Sequence, residues 1–175
     1  MIRLGAVGDR PRSACPLNKG KIPVINAGAD FYRDVEVPSH GSVAISHGPP
    51  GGRIALKAAG DRLLVAVQGE PAGDCLTKSF REGLDKGVLQ PNMRVLVDLT
   101  QFTGAVDWGA VFQVRTMAPW GKNSDPGASR IAYVVRNKMF GPLIKIASVL
   151  FYRSRHRAFD ARADAIAWLE SPPRG

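Results

Sequence analysis

Polar and apolar positions follow no sustained period up to about residue 51, and then fall into short ordered runs separated by glycine and proline breaks. The sharpest run is RVLVDLTQFTG, Arg94 to Gly104. Val95, Leu96 and Val97 are continuous and rich in β-branching, the composition of a strand covered on both faces. Asp98 stops the run, and Thr100 to Gly104 forms a polar turn before a helical segment that starts near Asp107. IAYVV, Ile131 to Val135, is a second such strand one helical segment later. Two buried strands separated by a helix make a crossover unit, so the pattern predicts an α/β sandwich.

The remaining elements follow the same logic. Ile54–Ala58 and Leu63–Val67 read as strands joined by the tight Gly60-Asp61 turn. After the Pro71-Ala72-Gly73 break, Asp74 is placed to cap a helix whose Leu76, Phe80 and Leu84 share a face, with Gly87 as its terminator. A second helix is predicted from Asp107 to Met117, with Val111 and Val114 inward alongside Trp108 or Phe112, and with Pro119 ending it. A third, Lys138 to Tyr152, is apolar nearly all round. A short strand at Arg157–Phe159 leads to a last helix, capped by Asp160, whose Ala165, Ile166, Trp168 and Leu169 cover the sheet. The expected order is β-β-α-β-α-β-α-β-α, a mixed four- to five-stranded sheet packed with about four helices.

Residues 1–51, interrupted by SHGSVAISHGPPGG, read as a disordered N-terminal tail. The domain is expected over 52–171, with 172–175 as a short C-terminal tail. The N-terminal residues carry charges and prolines where an export signal needs an unbroken apolar core, and Met139–Tyr152 is too short to span a membrane. The two cysteines, Cys15 and Cys75, lie far apart with no CxxC spacing. A reducing, cytoplasmic setting is therefore expected, with peripheral contact at the inner membrane face as its variant.

Order and motifs together resemble the SpoIIAA-like superfamily and its relative, the STAS domain of anti-sigma factor antagonists. Three segments within Arg53–Glu170 carry the resemblance: VLVDLTQFTG, SRIAYVV and RHRAFDARADAIAWLE. It implies a bacterial, regulatory, usually non-enzymatic module. In the antagonists a serine within Asp-Ser-Ser-Gly, at the start of the second helix, accepts phosphate and switches partner binding. The matching segment here is Val106-Asp107-Trp108-Gly109: Gly109 matches, but Asp107 and Trp108 stand in the serine positions and no hydroxyl is present. Asp107 suits a helix N-terminus either as a permanent negative charge or as an ordinary cap. Thr100 and Thr103 are alternative phosphate acceptors, although turn threonines commonly bond locally. The surface formed by Thr100, Thr103, Gly104, Asp107, Trp108 and Gly109 is the expected contact for a protein partner.

Charge adds a second candidate. The net charge is +9, and between Arg130 and Phe159 there is no acid. Lys138, Lys145, Arg153, Arg155 and Arg157 form a basic flank on the apolar third helix, suited to anionic lipid. Related sandwich domains are thought to hold nonpolar molecules between helices and sheet, and this helix could line such a cavity or pair two copies of the chain. Nucleic acid is not expected, since basic residues are not interleaved with strand aromatics. No catalytic set, cofactor loop or metal-ligand spacing emerges: GPPGG lacks the lysine and hydroxyl of a phosphate loop, Cys75 has no base, and His156 stands among arginines.

Overall fold

The computed structural model describes residues 43–49, 51–122, 125–136 and 140–172; most of the tail expected over 1–51, all but the first residue of the one expected over 172–175, and Lys138 lie outside them. The strands are β1 (Val43–His47), β2 (Gly52–Ala59), β3 (Arg62–Gly69), β4 (Arg94–Phe102), β5 (Arg130–Val134) and β6 (Arg155–Phe159). The helices are α1 (Gly73–Asp85), α2 (Trp108–Met117), the single turn α3 (Pro119–Lys122), α4 (Phe140–Leu150) and α5 (Arg162–Glu170).

All six strands form one sheet in the order β1-β2-β3-β4-β5-β6. The first two pairings are antiparallel and the last three parallel. The sheet thus has one more strand than the upper count expected. The addition is β1, inside the stretch assigned to the tail. VAISH is a five-residue alternation in which Ile45 and His47 point to the core, and it pairs in continuous register with β2 from Val43↔Ala58 to His47↔Ile54. Its glycine and proline neighbours masked a period too short to stand out.

β4 occupies an interior position, with Val95↔Ile131 and Leu63↔Val95 aligning it between two parallel neighbours. Each parallel crossover steps in the same direction across the sheet. Right-handed connections then place their helices on one common face, which here carries α1, α2 and α4. The main core lies on that side, with Leu56, Val65, Phe80, Met93, Val95, Trp120 and Ile131. The closing helix α5 takes the opposite face, where Ala165 and Leu169 pack on Leu96, Ala132 and Val134.

Local chemistry departs from expectation at the caps. Asp74 is inside the first turn of α1, whose cap is Ala72, and its carboxylate pairs instead with Lys78 one turn on at 2.9 Å. Asp160 likewise leaves the cap of α5 to Ala161. Gly87 does terminate α1, at φ +65°, with Gly87 and Val88 donating to the Leu84 and Gly83 carbonyls. β6 begins at Arg155, two residues ahead of its expected start, because Arg155 aligns with Arg130 of β5. Phe112 is 49% exposed rather than inward, whereas Trp108 turns toward the sheet.

The ends of the layers are pinned by two arginines. Arg94, at the start of β4, grips Asp61 of the hairpin turn with Nε and Nη2 at 2.8 and 2.7 Å and reaches Glu170 of α5 with Nη1 at 2.6 Å. Arg130, buried at the start of β5, donates Nη1 to the carbonyls of Trp168 and Ser171, closing the carboxyl end of α5.

Candidate functional site

The sheet alternation sends Val95, Val97 and Leu99 of β4 to the face carrying α1, α2 and α4. Val97, on an interior strand, is nevertheless only half-buried. The reason is an apolar cavity of about 210 Å³ between sheet and helices. Its floor includes Val67, Val97, Leu99 and Tyr133; its helical walls include Leu76 of α1, Val111 of α2 and Leu143 and Ala147 of α4. It reaches the loops at the carboxyl ends of β3 and β4, where Pro71, Ala105 and Val106 line it. Ligands of open α/β sheets lodge at this end of the strands. There the Phe102 and Phe140 rings, with centroids 6.0 Å apart, connect the end of β4 to the start of α4.

Among the described residues, only two lining side chains, Asp107 and Tyr133, carry an oxygen. Asp107 is the cap of α2: its backbone is extended and its Oδ1 accepts from the Ala110 amide at 3.0 Å. That satisfies one of the otherwise unpaired donors of the first turn. Its other oxygen lies against the α-carbon of Gly73, the first residue of α1. Two helix starts thus meet at one carboxylate.

The expected switch surface is divided by the fold. Thr103, Asp107 and Gly109 are exposed, while Gly104 and Trp108 are half-buried and Trp108 lines the cavity. Thr100 belongs to β4 rather than to the turn. Its hydroxyl and amide both donate to Asp98 Oδ1, at 2.6 and 2.9 Å, a local bonding pattern that occupies the hydroxyl. The basic residues are divided as well. Lys145 is exposed on α4, and Arg153 follows in the turn after it. Arg155 and Arg157 extend from β6 toward the α5 side, Arg157 lying 5.1 Å from the Phe159 ring.

Behind the cavity floor Tyr133 meets His156, a residue that stands alone among arginines in the sequence. In the fold Ile131 and His156 are register partners, and Tyr133 Oη lies 3.0 Å from His156 Nδ1. His156 Nε2 is 3.2 Å from the Phe151 carbonyl, which can only accept, so Nε2 carries the hydrogen. In the neutral ring Nδ1 is then the acceptor and Tyr133 the donor. Burial holds the His156 pKa below its ordinary 6.5, partly opposed by the bond to the Phe151 carbonyl. Burial also drives the Tyr133 phenol well above its usual range. Parallel strands at adjacent register are the only signal that pairs these residues, and no local motif encodes it.

No curated protein matches the chain. The fold of an uncharacterized protein with a SpoIIAA-like fold from Shewanella loihica is similar, at a TM-score of 0.49 and 16% identity, covering 77% of this chain and 98% of that one. A family model described as SpoIIAA-like matches residues 62–170, which spans β3 through α5 and so includes the parallel strands and the cavity between them. By that match, across most of the sheet and all its major helices, the chain belongs to the SpoIIAA-like family.

Proposed function

We propose that this chain is a non-enzymatic interaction module that holds a small apolar ligand between its helical layer and its sheet. The cavity carries the reading: about 210 Å³ of space, walled almost wholly by hydrocarbon, at the ligand-binding end of a parallel sheet. Its volume exceeds the roughly 150 Å³ that accommodates benzene in an engineered core, so it suits a bicyclic ring or a branched or short acyl group. Apolar walls that face a partly open cavity forgo burial worth roughly 25 cal/mol per Å². An occupant accounts for the cavity's retention. The exposed Thr103, Asp107 and Gly109 border the same loops, so a protein partner docked there would sense whether the cavity is filled.

The test is titration of the full chain with the neutral fluorophore N-phenyl-1-naphthylamine, beside an Ala147→Phe variant that fills the cavity from α4. Saturable binding at one equivalent, lost in the variant, supports the reading. Non-saturable binding, or binding the variant retains, removes it.

A second reading concerns the outer side of α4. Ile146, Val149 and Tyr152 are 46%, 73% and 69% exposed, three residues apart and therefore on one flank of the helix and its following turn. Lys145 and Arg153 adjoin them in an acid-free segment. An apolar ridge with positive flanks matches an anionic bilayer. Sedimentation with vesicles containing phosphatidylglycerol, compared with phosphatidylcholine alone, tests this. Binding restricted to the anionic vesicles and abolished by Val149→Glu is expected; a self-associating chain that ignores both vesicles would make the ridge a dimer contact instead.

A further inference from the structure

We propose that His156 is a proton-operated latch on α4, whose protonation frees the carboxyl end of that helix and opens the cavity. The helix is fastened there through two successive carbonyls. Arg115 of α2 donates Nε to the Leu150 carbonyl at 2.7 Å, and His156 of β6 donates Nε2 to that of Phe151 at 3.2 Å. The Ser154 amide also donates to Phe151 at 2.9 Å, which forms the turn but does not tie it to the sheet. Phe151, one residue past the end of α4, lines the cavity together with Phe140, Leu143, Ile144 and Ala147 of that helix, so the fastening and the wall are one unit.

The bonding pattern is sensitive to a single proton. In the neutral state each group has its complement: Tyr133 donates to Nδ1, and Nε2 donates to Phe151. A proton on Nδ1 turns that acceptor into a donor aimed at a donor. The phenol must then turn its hydrogen toward the apolar cavity, where it has little to bond. The imidazolium is also poorly placed. It faces the stacked Tyr133 ring from β5, the Phe151 ring from the α4 turn and Ile131 beside it in register. The charge nearest on α2 is Arg115, also positive, and Arg155 and Arg157 on its own strand are positive too. None of these partners is a carboxylate. β6 is an edge strand, so a route to water lies open, and the charged ring gains by taking it. When it leaves, the side-chain bond that ties β6 to the Phe151 carbonyl at the end of α4 is lost.

The direction follows from linkage. The latched state resists protonation, whereas an exposed imidazole titrates near 6.5, so the released form takes up the proton and gains population as pH falls below that value. The ligand side of the proposal rests on the cavity reading above; the motion of α4 does not.

The two are therefore measured separately on the full chain. Amide hydrogen-exchange protection factors for α4, corrected for intrinsic rates, should fall between pH 7.5 and 5.5 while those of β4 hold. N-phenyl-1-naphthylamine affinity should weaken over the same interval by about three- to tenfold, the equivalent of one hydrogen bond. His156→Gln can accept from Tyr133 and donate to Phe151 but does not titrate, and should show neither change. Tyr133→Phe leaves Nδ1 without its donor, so the transition should move to higher pH. Protection of α4 that is flat or rising on acidification, or a fall that persists in His156→Gln, overturns the latch. Absence of fluorophore binding at pH 7.5 with α4 still releasing would count against the cavity's ligand alone.

Discussion

The Asp107 carboxylate fills the space that a side chain on Gly73 would need, so the start of α1 and the cap of α2 are built against each other. Gly73→Ala should displace the carboxylate from the Ala110 amide, and Asp107→Ala should remove the cap outright. Each is expected to lower stability by about 1 kcal/mol or somewhat more. Once the carboxylate is gone the added methyl meets less obstruction, so the double variant should cost clearly less than the sum of the two. Urea midpoints for the four proteins measure the coupling; strict additivity would mean the two sites do not touch.

At the opposite end of the sheet, Arg94 links the β2–β3 turn, β4 and α5 through Asp61 and Glu170. The pair with Asp61 is two-pronged, but Asp61 is more than half exposed, so water screens part of its worth. Arg94→Met should therefore cost about 1 kcal/mol. The loss should shrink in high salt, as thermal melts at two ionic strengths would record.

Acid lability should come in two stages. Asp61 is held below its ordinary 3.8, chiefly by the Arg94 bond, and Glu82 below its ordinary 4.5, chiefly by the Lys86 bond and with help from His47 at 2.7 Å. Folded values below unfolded ones give stability that is complete above those ordinary values and is lost as pH falls through the folded ones. His156 acts earlier, because the unfolded chain takes up its proton near 6.5 while the folded one resists. Urea midpoints should thus begin to fall below about pH 6.5, and steepen below about pH 4.5. His156→Gln should remove the first stage and leave the second.

Alkaline stability depends on Tyr133. Its ordinary pKa is 10.0, and burial raises the folded value well beyond that. The folded protein therefore retains a proton that the unfolded chain releases, and stability falls as pH climbs past about 10. Tyr133→Phe should flatten that decline in thermal melts between pH 9 and 11. An unchanged slope would place the loss at another residue.

Filling the cavity offers a test that needs no ligand. Ala147→Leu adds three carbons from α4 toward Val111 and Leu143, where open volume exists. It should be neutral or stabilising, in contrast to the 1–3 kcal/mol typically lost on overpacking a tight core. A substantial loss in the urea midpoint would show that the space is needed by the folded chain itself.

The α/β class, the five strands β2 to β6 and the four main helices are readable because each rests on an apolar run or period within a few residues. Val95 to Val97 announces a doubly covered strand, and Leu76, Phe80 and Leu84 announce one face of a helix. β1 was hidden because five alternating residues beside Gly48 and Pro49 carry less signal than those breakers, and only pairing with β2 stabilises them. The caps at Asp74 and Asp160 misled for a related reason. The residue type permits a cap, but the turn's geometry selects which of several adjacent residues takes the position.

The linear order of residues decided the class of the sheet, the direction of its crossovers, and hence the common face of three helices, since hydrophobic spacing and chain handedness act locally. Folding in three dimensions decided the rest. That α4 stands far enough from α2 to leave a void, that Tyr133 reaches His156, and that Asp107 rests on Gly73 all depend on distances between segments far apart along the chain. Those distances are set by how all the layers pack together, which no single stretch of sequence specifies.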